Sequence, residues 1–356
     1  MEERTQPGAG RGPDDHGGSS RVTQSASTVA DALHPADSDH GDPAAAGQHG
    51  PFGALLEPVI RRACQDRLSH VNWFRTDWQR GGAATGYATF TDDDGQAREV
   101  VVKLPVPPRE RQWLVQLQPR DAAQAEVAPR LLAHGESLNG YDMAWVVMER
   151  LPHGPLGLSW GGAEFDLLVE AAGRFYQATR ELPLKGEPDH KDWDAIYDQA
   201  RKHVQQRDIT HPQRWREALK KAHRKLKEWV HIWRQRPCAD WCHGDLHLGN
   251  ALTRVPAPDG PALLIDFANT RPGCWVEDAI YFEHLFWARK DRLNGRKLAK
   301  QLAHIRKERG LPVASDWAHY AQAKRALLAM STPAQLRHDG DPAHVQAALE
   351  VLETQV

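Results

Sequence analysis

The stretch Trp241-Cys242-His243-Gly244-Asp245-Leu246-His247-Leu248-Gly249-Asn250, answered by Leu263-Leu264-Ile265-Asp266-Phe267, decides how the rest of the chain reads. The first run sets a carboxylate five residues before a carboxamide, and the second is an apolar strand ending on an Asp-Phe pair. Asp245, Asn250 and Asp266 thus offer three hard oxygen donors on two neighbouring segments, the chemistry that Mg²⁺ and bound phosphates demand. Pro256, Pro258, Asp259 and Gly260 are turn formers between them. The two segments are therefore expected to pair as a hairpin and bring the three side chains together. Such a cluster suits phosphoryl transfer, where positioning and charge neutralisation carry most of the catalysis. An ordinary Asp is already ionised at neutral pH, so no large pKa shift is demanded of Asp245.

At 356 residues, 40% hydrophobic and 26% charged, the chain has material for two or three domains with real cores. A formal net charge of −2 removes any whole-molecule argument for nucleic-acid or anionic-membrane partners. No apolar run approaches bilayer length, and the N-terminus lacks the charged-then-apolar pattern of a secretory signal. The expectation is a cytoplasmic monomer or dimer. Cys64, Cys238, Cys242 and Cys274 show no CxxC spacing and read as reduced thiols. Cys238, Cys242, His243 and His247 are close enough in the chain to be weighed as zinc ligands. Their spacing matches no common zinc motif, and zinc leaves Asp245 and Asn250 unexplained.

Residues 1–50 are rich in Gly, Ser, Ala, Asp and His with almost no large apolar side chains, the composition of a disordered acidic tail. Leu55, Leu56, Val59, Ile60, Ala63 and Leu68 then mark a short amphipathic helix. Val71 to Arg75, the glycine-bearing run Arg80 to Gly86, Tyr87 to Thr91, a turn at Asp92 to Gly95, and Glu99 to Leu104 follow. A strand, glycine loop, strand, tight turn and strand ending near Lys is the order of a kinase nucleotide-binding lobe. Gly81, Gly82 and Gly86 would let backbone amides approach phosphates, and Lys103 would reach the α- and β-phosphates. Arg109 to Leu117 reads as a helix whose Glu110 can orient Lys103, with Glu126 as the competing partner. Ala144 to Glu149 is a buried strand broken by Leu151-Pro152-His153-Gly154, the pattern of a hinge at which Met148 and Glu149 would meet an adenine edge. Beyond it the chain turns helical: Glu164 to Thr179, Trp215 to Trp233, Val276 to Lys290, Asp316 to Met330 and Pro342 to Leu352. The last two are expected to open on Asp or Ser-Asp caps. In the second of the five, Trp215, Leu219, Ala222, Leu226, Trp229 and Trp233 form the packed stripe. Lys220, Lys221, Arg224, Lys225 and Lys227 form the outer face, read as solvated rather than as a nucleic-acid surface.

The motif His243-Gly244-Asp245-Leu246-His247-Leu248-Gly249-Asn250, with Ile265-Asp266-Phe267 and Gly273-Cys274-Trp275-Val276-Glu277-Asp278-Ala279, resembles the aminoglycoside phosphotransferase and choline kinase-like family, relatives of the protein kinases. The resemblance implies a two-lobed α+β, protein kinase-like fold. Residues 51–150 would form a small antiparallel β lobe with a helix, and residues 151–356 a larger, mainly helical lobe. It implies Mg²⁺, with ATP (or GTP) as co-substrate and a small-molecule hydroxyl as acceptor. In that reading Asp245 is the base, Asn250 and Asp266 hold Mg²⁺, Lys103 and Glu110 serve the nucleotide, and His243 and Asp278 are structural. Cys274-Trp275 stands where the family carries Asp-Pro, and the glycine loop is looser than that of a protein kinase. Gly244 replaces the Arg that protein kinases place before the base, and no activation-loop signature follows, which favours a small acceptor. Glu164, Asp166, Glu170, Asp192, Asp194 and Glu283 could line an acidic pocket for a cationic acceptor. The rival reading is a catalytically silent nucleotide-binding scaffold.

Overall fold

The computed structural model describes residues 51–75, 83–121, 124–158, 161–336 and 341–356; the tail 1–50 and the glycines Gly81 and Gly82 lie outside the described residues. Helix α1 (Pro51–Ala63) precedes strands β1 (Asn72–Arg75), β2 (Ala84–Thr91) and β3 (Ala97–Leu104), helix α2 (Pro108–Gln116), and strands β4 (Leu131–Gly135) and β5 (Trp145–Glu149). The five strands form one antiparallel sheet in the order β1-β2-β3-β5-β4. The β2–β3 turn closes because Asp92 Oδ1 accepts the N–H groups of Asp94 and Gln96, while Gly95 takes a φ of 74° that favours glycine. Ile60, Leu68, Phe90, Val100, Val102 and Val147 make a small core between α1 and the sheet.

Gly86 stands inside β2, opposite Val102 and Trp73, rather than in a loop. A Cβ there would come within 2.5 Å of Val71 Cγ1, so close packing alone accounts for the glycine.

The larger lobe contains α3 (Ala163–Thr179), α4 (Trp193–Gln206), α5 (Pro212–Arg234), α6 (Val276–His284), α7 (Leu298–Glu308), α8 (Trp317–Gln335) and α9 (Pro342–Gln355). Short strands β6 (Asp240–Cys242) and β9 (Arg271–Gly273) pair with each other, as do β7 (Ala251–Thr253) and β8 (Ala262–Leu264). The β7–β8 pair is the hairpin expected from the turn residues between them. The α5 stripe from Trp215 to Trp233 is buried and its basic face is exposed. No helix among the described residues is long and apolar enough to cross a membrane.

Three sequence expectations are revised. The helix begun at Val276 stops at His284, and a 3₁₀ turn over Trp287–Leu293 takes its place. The His284 ring bonds the Tyr281 carbonyl that a continuing helix would offer to Leu285 N–H. Asp341 does cap α9 by accepting the Ala343 N–H, but Asp316 makes no cap bond and instead accepts the Tyr320 hydroxyl. Helices α4 and α7 and strand β4 were not anticipated, although Trp193, Tyr197, Ala200 and Val204 do recur at helical spacing.

The core boundary bears on the site. Helix α2 packs on the 3₁₀ turn Phe267–Asn269, and its Trp113 and Leu114 belong to the core of the larger lobe. Trp113 meets Trp241 edge-on at 4.7 Å between centroids, so the helix bearing Glu110 leans directly on the strand that leads into Asp245.

Candidate active site

Strand β6 delivers His243 to a loop that two neighbours hold in shape. Asp278, on the first turn of α6, is 1% exposed and accepts the N–H groups of His243 (2.8 Å) and Gly244 (2.9 Å) and the Tyr176 hydroxyl (3.0 Å). Burial pushes the Asp278 carboxyl above the usual aspartate range, against the pull of His243, the Gly244 N–H and Arg271. The His243 ring is fully buried, and burial lowers its pKa. Its Nδ1 takes the Asp245 N–H at 3.3 Å, so its Nε2 carries the proton donated to the Ile265 carbonyl at 3.1 Å. A neutral imidazole thus ties the Asp245 loop to the Asp266 strand.

Gly244 adopts a φ of 81°, and a Cβ on it would fall inside contact distance of the Asn269 carbonyl oxygen and Arg271 Nη1. The sequence departure from Arg at this position is therefore steric. A Gly244→Ala variant is expected to lose about 1–3 kcal/mol from backbone strain alone. It should also displace the Asp245 loop, an effect read by thermal melting and by nucleotide turnover in parallel.

Asp245 is 6% exposed. The Tyr281 hydroxyl donates to its Oδ1 at 2.5 Å, and His247 Nε2 lies 3.5 Å from the same oxygen. His247 Nδ1 accepts the Gly249 N–H at 2.9 Å, which leaves the ring proton on Nε2, facing the carboxylate. Burial raises the Asp245 pKa, but hydrogen bonds from His247 and Tyr281 outweigh it, and the carboxyl sits below its ordinary value. Oδ1 is thereby engaged, while among the described residues no hydrogen bond engages Oδ2. Tyr281 is the partner of Asp245 that the sequence reading missed. It lies three residues after Asp278, one helical turn on, so both face the loop.

Asn250 Nδ2 donates to the Asp245 carbonyl at 2.9 Å, which turns its Oδ1 into the atom available to a cation. The Asn250 carbonyl in turn accepts the Ile265 N–H at 3.0 Å, placing Asp266 beside it. Asp266 has a left-handed backbone (φ 63°, ψ 63°), a strained state for a residue with a Cβ and one that clusters at functional sites. The Asp245 and Asp266 charges both act on Tyr281 and on His243, and Asp266 also acts on Glu110, so one locality holds them all. Among the described residues no three His, Cys, Asp or Glu side chains form a metal cage. One carboxylate and one amide are nonetheless the sparse donor set that fits Mg²⁺, which usually completes its shell with phosphates and water. The weighed zinc group is otherwise employed: Cys242 Sγ donates to the Cys274 carbonyl at 3.2 Å.

Lys103 Nζ and Glu110 Oε1 pair at 2.6 Å, with the Glu110 side chain only 3% exposed. Burial raises the Glu110 pKa and Lys103 opposes it. Glu126, the competing partner, binds Arg254 together with Glu149. In β5 the Glu149 N–H donates to Arg130 and the Arg150 N–H to Glu99, so at Glu149 the strand is still paired; Met148 sits opposite Val101 and Leu131.

The six acids considered for a cationic acceptor are mostly committed. Glu164 accepts the Gly161 and Gly162 N–H groups, and Asp192 caps α4. Asp166 pairs with Arg296, Glu170 with Arg309 and Glu283 with Arg325. Asp194 is exposed. At the Cys274-Trp275 departure both side chains are buried, and the Trp275 N–H is taken by Asp240 Oδ2 at 3.3 Å.

Comparison with known proteins matches residues 80–311 to the model of the phosphotransferase enzyme family. No curated protein matches. Among solved structures, an aminoglycoside phosphotransferase from Alicyclobacillus acidocaldarius superposes with a TM-score of 0.55 at 19% identity, covering 81% of this chain and 88% of that one. Spectinomycin phosphotransferase, in complex with ADP and spectinomycin, superposes with a TM-score of 0.50 at 10% identity, covering 85% and 93% respectively. At such identities the likeness speaks for the fold, which is the two-lobed, kinase-like one. The family match over residues 80–311 takes in more than half of the chain, and this chain belongs to the phosphotransferase enzyme family.

Proposed function

We propose that the protein transfers the γ-phosphoryl group of ATP (or GTP) to a hydroxyl of a small molecule. The observation that carries this reading is Asp245 itself, with Oδ1 engaged by Tyr281 and His247 and Oδ2 unspent, next to Asn250 and the Asp266 strand. In the reaction the acceptor oxygen forms a bond to the γ-phosphorus, the bridging bond to the nucleoside diphosphate breaks, and the acceptor proton passes to Asp245 Oδ2. Tyr281 and His247 keep the base aimed. Lys103, steadied by Glu110, would hold the nucleotide phosphates, and Gly81 and Gly82 would let backbone amides approach them, whereas the strand-paired Gly86, Met148 and Glu149 are left out of this reading. Asn250 Oδ1 and Asp266 would hold Mg²⁺, which when bound neutralises charge on the phosphates.

The commitment of Glu164, Asp166, Glu170, Asp192 and Glu283 to internal partners favours an acceptor of low positive charge over a polycation. The test is a panel of aminoglycosides, amino alcohols and sugars incubated with Mg-ATP and with Mg-GTP, read by mass for the gain of one phosphoryl group. Nucleotide binding without any phosphorylated product would instead support the silent scaffold. On whichever acceptor reacts, Tyr281→Phe is expected to lower kcat roughly tenfold, the worth of one hydrogen bond to a charged group. The nucleotide affinity should hold, and an unchanged kcat would remove Tyr281 from the mechanism.

A further inference from the structure

Lys324, on α8, is 6% exposed, and among the described residues its ammonium has neither a hydrogen-bond acceptor nor a paired carboxylate. Two indoles stand beside it instead: Nζ lies 4.9 Å from the Trp233 ring centroid and 5.6 Å from that of Trp193. An ammonium taken out of water without an oxygen partner is costly to a fold. Its tip is not sealed, because Nζ is not among the polar atoms that are both unpartnered and fully occluded. Lys191, one residue before the Asp192 cap of α4, brings a second ammonium to the same indole, 6.0 Å from the Trp193 centroid. Its side chain is 26% exposed, and Asp189 holds it only at 3.6 Å.

The charges around the pair do not balance. Burial, and after it the Lys191 charge, push Lys324 down to about 7; Arg271 adds to the same field, and Glu277 and Asp189 oppose it. Glu277 is already shared by Arg236 and Arg271, at 3.0 Å each, and Asp278 by the N–H groups of the catalytic loop. Two neighbouring ammonium groups are left that no side chain neutralises.

Their place relative to the base follows from α6. Glu277, Tyr281 and His284 are four and three residues apart and so share one face of that helix. The Lys324 charge acts on both ends of this stripe, on Glu277 and on His284, and Lys191 acts on His284 as well. Tyr281 stands between them, its ring 5.1 Å from that of His284 and its hydroxyl on Asp245 Oδ1. Arg325, the residue after Lys324, ties α8 to α6 by donating to both oxygens of Glu283. The ammonium pair therefore lies level with the tyrosine that aims the base.

We infer that Lys191 and Lys324 form the anion-binding end of the acceptor site, which takes a small hydroxy compound bearing a carboxylate or a phosphate group. The anion sits between the two ammonium groups and takes no part in the transfer; the hydroxyl is presented to Asp245. This rests on the phosphotransferase reading above and narrows its acceptor.

Turnover with Mg-ATP, and calorimetry in the presence of Mg-ADP, test it on the full chain with gluconate, glucose 6-phosphate, glucitol and glucosamine. Gluconate or glucose 6-phosphate should bind at least tenfold more tightly than glucitol, the worth of a hydrogen bond to a charged group, and the tighter of the two identifies the anion. Lys324→Met and Lys191→Gln should each weaken that binding roughly tenfold, raise the acceptor KM more than they lower kcat, and leave Mg-ADP affinity unchanged. Lys191→Gln, at the more exposed position, carries the test if Lys324→Met misfolds. Glucitol or glucosamine equalling the anions, no binding of either anion, or parent-like anion affinity in both variants would overturn the inference. Phosphorylated glucitol or glucosamine in those cases would leave the phosphotransferase reading standing. Anion binding that depends on Lys191 without product from any acceptor would keep the anion site and remove the transfer, so the two failures are told apart.

Discussion

An Asp245→Asn variant is expected to lose turnover by roughly 10²–10⁴-fold, the usual worth of a positioned general base. The substitution is isosteric, so Asn Oδ1 can still accept from Tyr281 and His247, and the loop keeps its shape. What changes is the other atom: an amide nitrogen replaces Oδ2 and cannot take the acceptor proton. The affinity for Mg-ADP should stay close to that of the parent protein, because Asn250, Asp266 and Lys103 are untouched. Calorimetry with Mg-ADP beside turnover on the responding acceptor separates the two effects. Parent-like turnover in the variant would defeat the assignment of Asp245 as base.

Asp278→Ala should produce the largest loss of stability among single changes near the site. The carboxylate serves three donors at once, the His243 and Gly244 N–H groups and the Tyr176 hydroxyl, all inside the protein. Each donor left bare costs about 1–3 kcal/mol, so a total of about 3 kcal/mol or more is expected. The two N–H groups also fix the turn from which Asp245 projects, so activity should fall with stability. Tyr176→Phe is the internal control: it removes one donor, leaves Asp278 with two, and should cost about 1 kcal/mol. Denaturant unfolding of the three proteins checks the order, and equal stability of Asp278→Ala and the parent would mean that the brace is not needed.

Much of this was legible in the chain because it depends on neighbours in sequence. Turn residues between Asn250 and Ile265 announced the β7–β8 hairpin, and the steps of three and four from Trp215 to Trp233 announced the buried face of α5. The Asp245, Asn250 and Asp266 set followed from residue chemistry and spacing. Helix α2 could be placed, but whether Glu110 or Glu126 meets Lys103 depends on how that helix docks. The docking is made by Trp113 packing against Trp241, a contact no local pattern specifies.

The same divide explains the other gaps. Tyr281 reaches Asp245 across 36 residues, and Arg254 claims Glu126 across 128, so both pairings exist only after the lobes have folded. The acids that composition offered to a cationic acceptor were claimed by Arg296, Arg309 and Arg325, each more than 40 residues away. Gly244 could be read as a departure from a motif, but its necessity comes from the Asn269 carbonyl standing where a side chain would go. By itself the sequence determined the chemistry of the site and the elements that carry it, because periodicity, turn propensity and donor type are local properties. Tertiary structure alone decided which charges are spent and which oxygen of Asp245 is engaged, because each is settled by contacts between distant parts of the chain.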